Sequence, residues 1–414
     1  MKNEVYAVID IKSFYASCEC AARGLDIFAT PLVVADPTRS KNTIVMSVTP
    51  YLKEKYRVSN VMRVKDLPPI DGLIFAQPRM AYYIEISAKV VSIFLDFVAE
   101  EDLHIYSIDE SFLRLTPYLK LYHCDAFGMV EMIQKRIRDE LGLVATSGLG
   151  PNMFLAKTCL DNEGKKKPPY RAYWGKEDVE KKLWKIRPIT KVWGIGHGIG
   201  DHLSRLGIRS MEALAKADEA LLQKEFGVMG TQLRNLANGI DETDITVKYV
   251  PKETNLSIGQ TLMKDYDSSG ARLVLREMCD DLCFRMRGQG LRCGCVHLFV
   301  GYSAQGGFSR QLSLMRHSDD NDEIYDALMR IFEANIEACP IRNLGISFSK
   351  LSNDSAHQFS LFAQAEEDME KESLWETIDE ISLRYGRDAV LRASSLCKDS
   401  TVKQRHGQIG GHKA

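Results

Sequence analysis

The sequence predicts an α+β protein of several domains. Three observations carry that expectation. Strand-like apolar runs and helical patterns are mixed without the strict alternation a doubly wound parallel sheet requires. At ~100–200 residues per domain, 414 residues give two to four domains. With 45% hydrophobic and 27% charged residues, the composition excludes collagen-like, disordered and disulfide-scaffold proteins. The 54 Lys and Arg against 56 Asp and Glu give a formal net charge of −2. That excludes a uniformly basic nucleic-acid binder but allows a basic face balanced by acidic segments.

The elements follow in order. Val5 to Ile9 is a compact apolar run of buried-strand type, and it stops at Asp10. A helical pattern covers Ser13 to Arg23. Pro31 precedes a second strand-like run, Leu32 to Ala35, and Pro68-Pro69 closes a small region rich in Lys, Arg and Thr. Apolar residues recur at helical spacing from Ile84 to Val98 and again from Phe127 to Leu141. Between them, His104 to Leu115 reads as two short strands joined by a polar turn holding Asp109-Glu110. The mix suggests a sheet layer of split βαβ type. Lys165-Lys166-Lys167-Pro168-Pro169 reads as a linker. Residues 165–240 carry 15 Lys and Arg against 8 Asp and Glu, a local charge of +7. A second linker is expected at Asp241 to Pro251. Residues 252–350 mix long helices and strands. The chain then turns polar, with 8 acidic residues and 1 basic residue in 363–380. Trp375, Ile378, Ile381 and Leu383 suggest a small amphipathic helix there.

No apolar run approaches the ~18–20 residues of a membrane span, and the N-terminus lacks a leader pattern, so a cytoplasmic protein with reduced cysteines is expected. Cys279, Cys283, Cys293 and Cys295 cluster at CxxxC and CxC spacings. These match no common zinc pattern, and one helix turn followed by one strand accounts for them.

The acids bear the chemistry. A carboxylate ending an apolar strand needs a partner, because burying a lone charge is costly. Strands paired in one sheet can bring Asp10 beside Asp109 and Glu110. Clustered acids repel one another, and hard divalent cations such as Mg²⁺ offset that repulsion through all-oxygen ligation. Two such ions ~4 Å apart form the clamp used in nucleotidyl transfer. Taken alone, the same acids also suit turns facing water.

Phe14-Tyr15 and Ser17-Cys18-Glu19 follow Asp10, and Ser107-Ile108-Asp109-Glu110-Ser111 forms the second motif. The pairing of D-x-x-x-F-Y with S-I-D-E-S, ~100 residues apart, resembles the Y-family (translesion) DNA polymerases, in their bacterial UmuC-like branch. The likeness covers roughly residues 4–362. It implies an α+β right-hand polymerase with a ferredoxin-like palm (1–25 and 76–165) and small fingers (26–75). A helical thumb with a helix-hairpin-helix (166–245), an α+β little finger (250–350) and a C-terminal tail (351–414) follow. It implies that Asp10, Asp109 and Glu110, with the Ile11 carbonyl, hold two Mg²⁺ ions. Tyr15 matches the steric gate against a ribose 2′-hydroxyl, with Phe14 the adjacent aromatic. Tyr51 and Lys157 match residues that reach the triphosphate. The chain departs from the family pattern at Glu54, where many relatives carry an arginine. An acid cannot replace a guanidinium facing phosphates, and Lys53 and Lys55 are each expected to point elsewhere on a helix.

Trp193-Gly194-Ile195-Gly196 resembles the turn of a helix-hairpin-helix, with Gly194 and Gly196 as the candidates for DNA-backbone contact. The pattern of Gln358, Leu361 and Phe362 resembles the bacterial sliding-clamp-binding motif. The implied function is template-directed, error-prone addition of dNTPs to a primer 3′-hydroxyl in DNA repair and SOS mutagenesis. The implied partners are primed template DNA, dNTPs and the clamp, for a monomer that associates with the nucleoid. Two rivals stay open: a catalytically weak DNA-binding adaptor recruited by the clamp, which Glu54 favours, and a two-metal phosphodiesterase or cyclase.

Overall fold

A computed structural model describes residues 4–38, 42–251, 253–353 and 365–414. It divides into two compact units, residues 1–248 and 249–414. The Gln358–Phe362 motif lies outside the described residues.

The first unit is organised by strand β1 (Tyr6–Ile11). Ala7, Ile9 and Ile11 pack into one hydrophobic cluster, while Tyr6 and Val8 pack into another. A central strand buried on both faces explains why this run is apolar without alternation. Helix α1 (Phe14–Ala21) follows at once, entered through Ser13 in the left-handed conformation (φ 50°). Strands β2 (Leu32–Val34), β3 (Ser47–Val48) and β4 (Ile74–Ala76) form a small sheet in the order β3-β2-β4. Helix α2 (Pro50–Tyr56) packs there through Leu52.

Helix α3 (Met80–Leu95) leads to β5 (Leu103–Ile105) and β6 (Glu110–Arg114), the expected strand pair with its acidic turn. Helix α4 (Ala126–Leu141) is bounded by an Asp125 cap, which accepts from the Gly128 N–H at 2.7 Å, and by Gly142 at φ 67°. Strand β7 (Ala145–Gly150), helix α5 (Met153–Cys159) and β8 (Arg171–Tyr173) complete a five-stranded sheet in the order β5-β6-β1-β7-β8. Both neighbours of β1 run antiparallel to it. Gly148 of β7 lets α5 press onto the sheet: a Cβ there would stand 2.3 Å from the Ala156 carbonyl oxygen. After α5 the chain widens into a π-helical turn, Leu160–Gly164.

Helices α6 (Asp178–Lys181), α7 (His197–Arg205), α8 (Met211–Ala215), α9 (Glu219–Phe226) and α10 (Val228–Ala237) build a helical region. It closes around Leu183, Leu203, Met211, Leu222 and Leu233. Ser210 and Asp218 cap α8 and α9.

In the second unit, β9 (Leu256–Tyr266), β10 (Arg292–Tyr302), β11 (Gly307–Ser318) and β12 (Ile341–Ser352) form an antiparallel sheet in the order β11-β10-β12-β9. Helices α11 (Ser268–Arg287) and α12 (Asn321–Asn335) share its core. Cys279 and Cys283 lie one turn apart on α11, and Cys293 and Cys295 lie on β10.

The polar C-terminal stretch is not a solvated tail. Helix α13 (Ala365–Tyr385) carries the expected Trp375 and Ile378, and α14 (Val402–His406) precedes a β13 (Gln408–Ile409)–β14 (His412–Lys413) hairpin. This segment docks on the acids of α11. Arg392 pairs with Asp280 at 2.8 Å, and Arg405 and Arg387 with Asp281. The Thr401 N–H donates to Glu277 at 3.0 Å. Asp379 takes both Nε and Nη2 of Arg287, at 2.7 and 3.0 Å. Its charges find their partners about a hundred residues upstream, which composition alone does not reveal.

Candidate active site

The register of the first sheet sets the site. Asp10 of β1 lies opposite Glu110 of β6, two residues on from the Val8–Phe112 pair. Since side chains alternate along a strand, Asp10 and Glu110 project to the face of Val8 and Phe112, where α5 packs. Asp109 sits in the turn just before β6. Its carbonyl accepts the Ile11 N–H at 2.9 Å, and its carboxylate accepts the Ser107 hydroxyl at 2.7 Å. Thr146 of β7 donates to the Asp10 carbonyl at 3.1 Å.

Two ammonium groups stand against these acids. Lys157 Nζ lies 2.6 Å from Glu110 Oε1 and 3.1 Å from Asp161. Lys165 Nζ lies 2.9 Å from Asp10 and 3.2 Å from Asp161. Burial raises the Asp10 carboxyl above its ordinary range, opposed by Lys165, with Asp109 adding repulsion. Burial likewise raises Glu110, opposed by Lys157. Burial lowers Lys165, but Asp10 and Asp161 outweigh it, so its ammonium is held above the ordinary range.

A cavity of about 330 Å³ opens beside them. Asp10, Ile11, Asp109 and Lys165 line it, with Phe14 and Tyr15 from α1 and Pro50, Lys53 and Glu54 from α2. Tyr15 is half-buried against Tyr83, at 4.9 Å between ring centroids, and against Phe14 at 5.5 Å. Burial, with Asp109 nearby, keeps the Tyr15 phenol neutral above its ordinary pKa. The fully buried Glu19 ties α1 to α3, accepting from Arg79 Nε at 2.9 Å and the Tyr83 hydroxyl at 2.8 Å. The wall that holds Tyr15 is therefore braced by a buried carboxylate.

The named residues separate into those at this cavity and those away from it. Asp10, Ile11, Asp109, Phe14 and Tyr15 line it, and Glu110 lies behind Asp10 in the sheet. Lys157 does not line it; its ammonium is buried on Glu110. The lysine at the cavity is Lys165, eight residues on, carried there by the π-helical turn. Its place inside a run of three lysines before two prolines reads as a linker, so sequence pattern passes over it. Tyr51 is also off the cavity, its hydroxyl accepting from Lys55 at 2.8 Å. Lys53 does not point elsewhere. It shares a face with Pro50 at i+3, a spacing that could have found it. In the helical region, Gly194 adopts φ 88° and Gly196 caps α7. No atom lies within 4 Å of where a Cβ would stand on either, so this turn presents bare backbone.

The donor set fits hard cations. Carboxylates and a peptide carbonyl are all-oxygen ligands; Asp10, Ile11 and Asp109 line the cavity, and Glu110 lies beside Asp10 in the sheet. Among the described residues no three acids, histidines or cysteines are gathered tightly enough to form a ready cage. The lysines on Asp10 and Glu110 supply the countercharge in this arrangement.

Two models of the impB/mucB/samB family match the chain, one over residues 9–161 and its C-terminal domain over residues 253–361. A Bacillus subtilis (strain 168) chain named for UV-damage repair, UvrX, is 34% identical over 410 residues, covering 98% of this chain and 97% of that one. The chain belongs to the impB/mucB/samB family of Y-family DNA polymerases. A second Bacillus subtilis relative, DNA polymerase IV 2, is 30% identical over 419 residues, covering 100% of this chain and 99% of that one. A solved Y-family DNA polymerase chimera, 18% identical, shares the fold at a TM-score of 0.66 over 84% of this chain and 98% of its own. The α+β right-hand polymerase architecture is therefore that of this chain. Among the described residues no helix is long and apolar enough to cross a membrane.

Proposed function

We propose that this chain is a DNA-directed translesion polymerase that adds dNTPs to a primer 3′-hydroxyl by two-metal nucleotidyl transfer. One observation carries the reading: Asp10 and Asp109 line a cavity that also holds Tyr15, and the sheet register sets Glu110 opposite Asp10. Asp10, Asp109, Glu110 and the Ile11 carbonyl would hold two Mg²⁺ ions, which when bound supply activation of the primer hydroxyl and charge neutralisation on the triphosphate. The protein's own part is positioning and electrostatics. Lys165 exchanges its hold on Asp10 for the substrate's negative charge, while Lys157 opposes the burial that raises Glu110. Tyr51, on the outer side of α2, approaches the triphosphate only if its hydroxyl leaves Lys55.

The bare backbone at Gly194 and Gly196, before the nine-residue α7, suits a DNA phosphate. The reading extends to error-prone synthesis past lesions by a monomer, in cytoplasmic DNA repair and SOS mutagenesis. Primed template, Mg²⁺ and single dNTPs test the reading directly. Template-matched extension supports it, and primer shortening overturns it. Glu54 at the cavity favours one rival, the weakly catalytic adaptor. Tight DNA binding without extension is that rival's signature.

Two results are expected alongside. Tyr15→Ala should raise ribonucleotide incorporation by about 10-fold or more, because a ring bordering the sugar excludes a hydroxyl by contact. Unchanged rNTP discrimination removes Tyr15 from the gate. An internal deletion of Gln358 to Phe362 should weaken sliding-clamp binding and spare extension on short primed DNA. Equal clamp affinity in a pull-down or surface-binding assay removes that assignment.

A further inference from the structure

Two turns that the proposed function uses are joined by a tryptophan to which it gives no role. Residues Val192 to Ile195 form a tight turn, closed by the Ile195 N–H on the Val192 carbonyl at 3.1 Å. Gly194 takes the third position at φ 88°, as a type II turn requires. Val192 and Ile195 are buried in the core of the helical region. Trp193, between them, packs against that core on one side and against the first sheet on the other. Its ring centroid lies 5.8 Å from that of Phe112 on β6 and 6.5 Å from that of Phe154 on α5.

Trp193 also reaches the acidic turn. Its Nε1–H donates to the Tyr106 hydroxyl at 3.1 Å, and the two rings meet edge-on, 6.0 Å apart at 75°. Tyr106 opens the turn that holds Asp109: its N–H and that of Ser107 both donate to the Glu110 carbonyl at 3.0 Å. The Tyr106 ring stands edge-on to Phe112 at 5.6 Å. Edge-to-face pairs and hydrogen bonds are both directional, so together they fix an angle as well as a distance. Tyr106 is 47% exposed. Water satisfies a hydroxyl at that exposure, so the bond to Trp193 adds little to stability. What it sets is the spacing between the bare backbone of Gly194 and Gly196 and the carboxylate of Asp109.

We infer that Trp193 and Tyr106 are positioning residues for nucleotidyl transfer, locking the turn at Gly194 to the turn that carries Asp109. The inference rests on the polymerase reading above. DNA held at Gly194 and Gly196 then presents its primer end at a set distance from the acids. A misplacement of about 1 Å far from the chemistry costs about 100-fold in rate, so the seating of these rings reaches the reaction. Neither residue lines the cavity, so the effect falls on the maximal rate and not on nucleotide affinity.

The test is single-turnover extension of a primed template by the full chain. The maximal rate, the half-saturating dNTP concentration and the DNA Kd are measured separately. Tyr106→Phe and Trp193→Phe each delete the hydrogen bond and keep a ring. Each should lower the maximal rate about 5-fold, the scale of one hydrogen bond. The double variant should be no slower than Trp193→Phe alone, since the two changes delete one bond. Trp193→Leu removes the ring contacts as well and should lower the maximal rate about 50-fold. Half-saturating dNTP and DNA Kd should stay unchanged throughout, and the Tm of Tyr106→Phe should match that of the unmodified chain.

A merely structural contact gives the opposite pattern: a lower Tm with the maximal rate of the folded protein intact. That pattern overturns the inference, and so do single effects that multiply in the double variant. If Trp193→Leu fails to fold, Tyr106→Phe decides the matter from the surface, and an unaltered maximal rate there overturns the inference alone. No extension by the unmodified chain overturns the polymerase reading and the inference with it.

Discussion

Asp109→Ala is expected to lower template-matched primer extension at least about a thousandfold, the scale of losing one preorganised charge at a reacting centre. The same change should leave the fold intact. The Asp109 side chain is half-buried, and its one hydrogen-bond partner is the hydroxyl of Ser107, two residues away. The contact that orders the turn comes from its backbone carbonyl, bonded to Ile11, and alanine keeps it. Thermal unfolding should therefore shift by only a few degrees, as for a substitution that makes no cavity and strands no charge. Glu110→Ala is a poorer test. It leaves the buried Lys157 ammonium with Asp161 alone, and breaking a buried pair costs about 3–5 kcal/mol. Lost activity there would mix chemistry with unfolding. Undiminished extension by Asp109→Ala, in a gel assay with a single dNTP, removes the carboxylate cluster from the mechanism.

The second large effect is on stability. Gly148→Ala places a Cβ 2.3 Å from the Ala156 carbonyl oxygen, 2.3 Å from the Leu160 amide nitrogen and 2.7 Å from the Leu160 Cα. All three are backbone atoms, so no side chain can rotate away. Helix α5 must lift from β7, opening the packing of Met153, Ala156 and Leu160 against Tyr6, Val8 and Phe112. The expected cost is about 3 kcal/mol or more, at or above the upper end for overpacked cores. Chemical denaturation measures it, and near-native stability shows that α5 does not seat on β7 as described. Activity should fall with stability, because α5 carries Lys157 and the turn beyond it carries Lys165.

Much of the site was legible because it is built from local signals. The Val5 to Ile9 run and its terminal Asp10 sit as expected, and so does the acidic turn between two short strands. The antiparallel pairing of β1 with β6 joins them. Other features depend on geometry that residue spacing encodes weakly. One wide helical turn decides whether Lys157 or Lys165 reaches the cavity. The direction of Lys53 depends on α2 beginning at Pro50, which puts positions 50, 53 and 54 on one face and sends Lys55 back to Tyr51. Lys12 acquires its place from Tyr170, a partner 158 residues away in the sequence.

The docking of the C-terminal segment changes what counts as dispensable in this chain. A stop after residue 362 looks, by composition, like removal of an acidic appendage. It would in fact remove the Asp379 carboxylate from Arg287 and strip Arg387, Arg392, Arg405 and His406 from the acids of α11. Glu277 and Asp281, both buried, would face solvent with their partners gone. Insertions, tags and truncations near this end are therefore alterations of a domain, and the chain tolerates editing there no better than it does within a helix of its core.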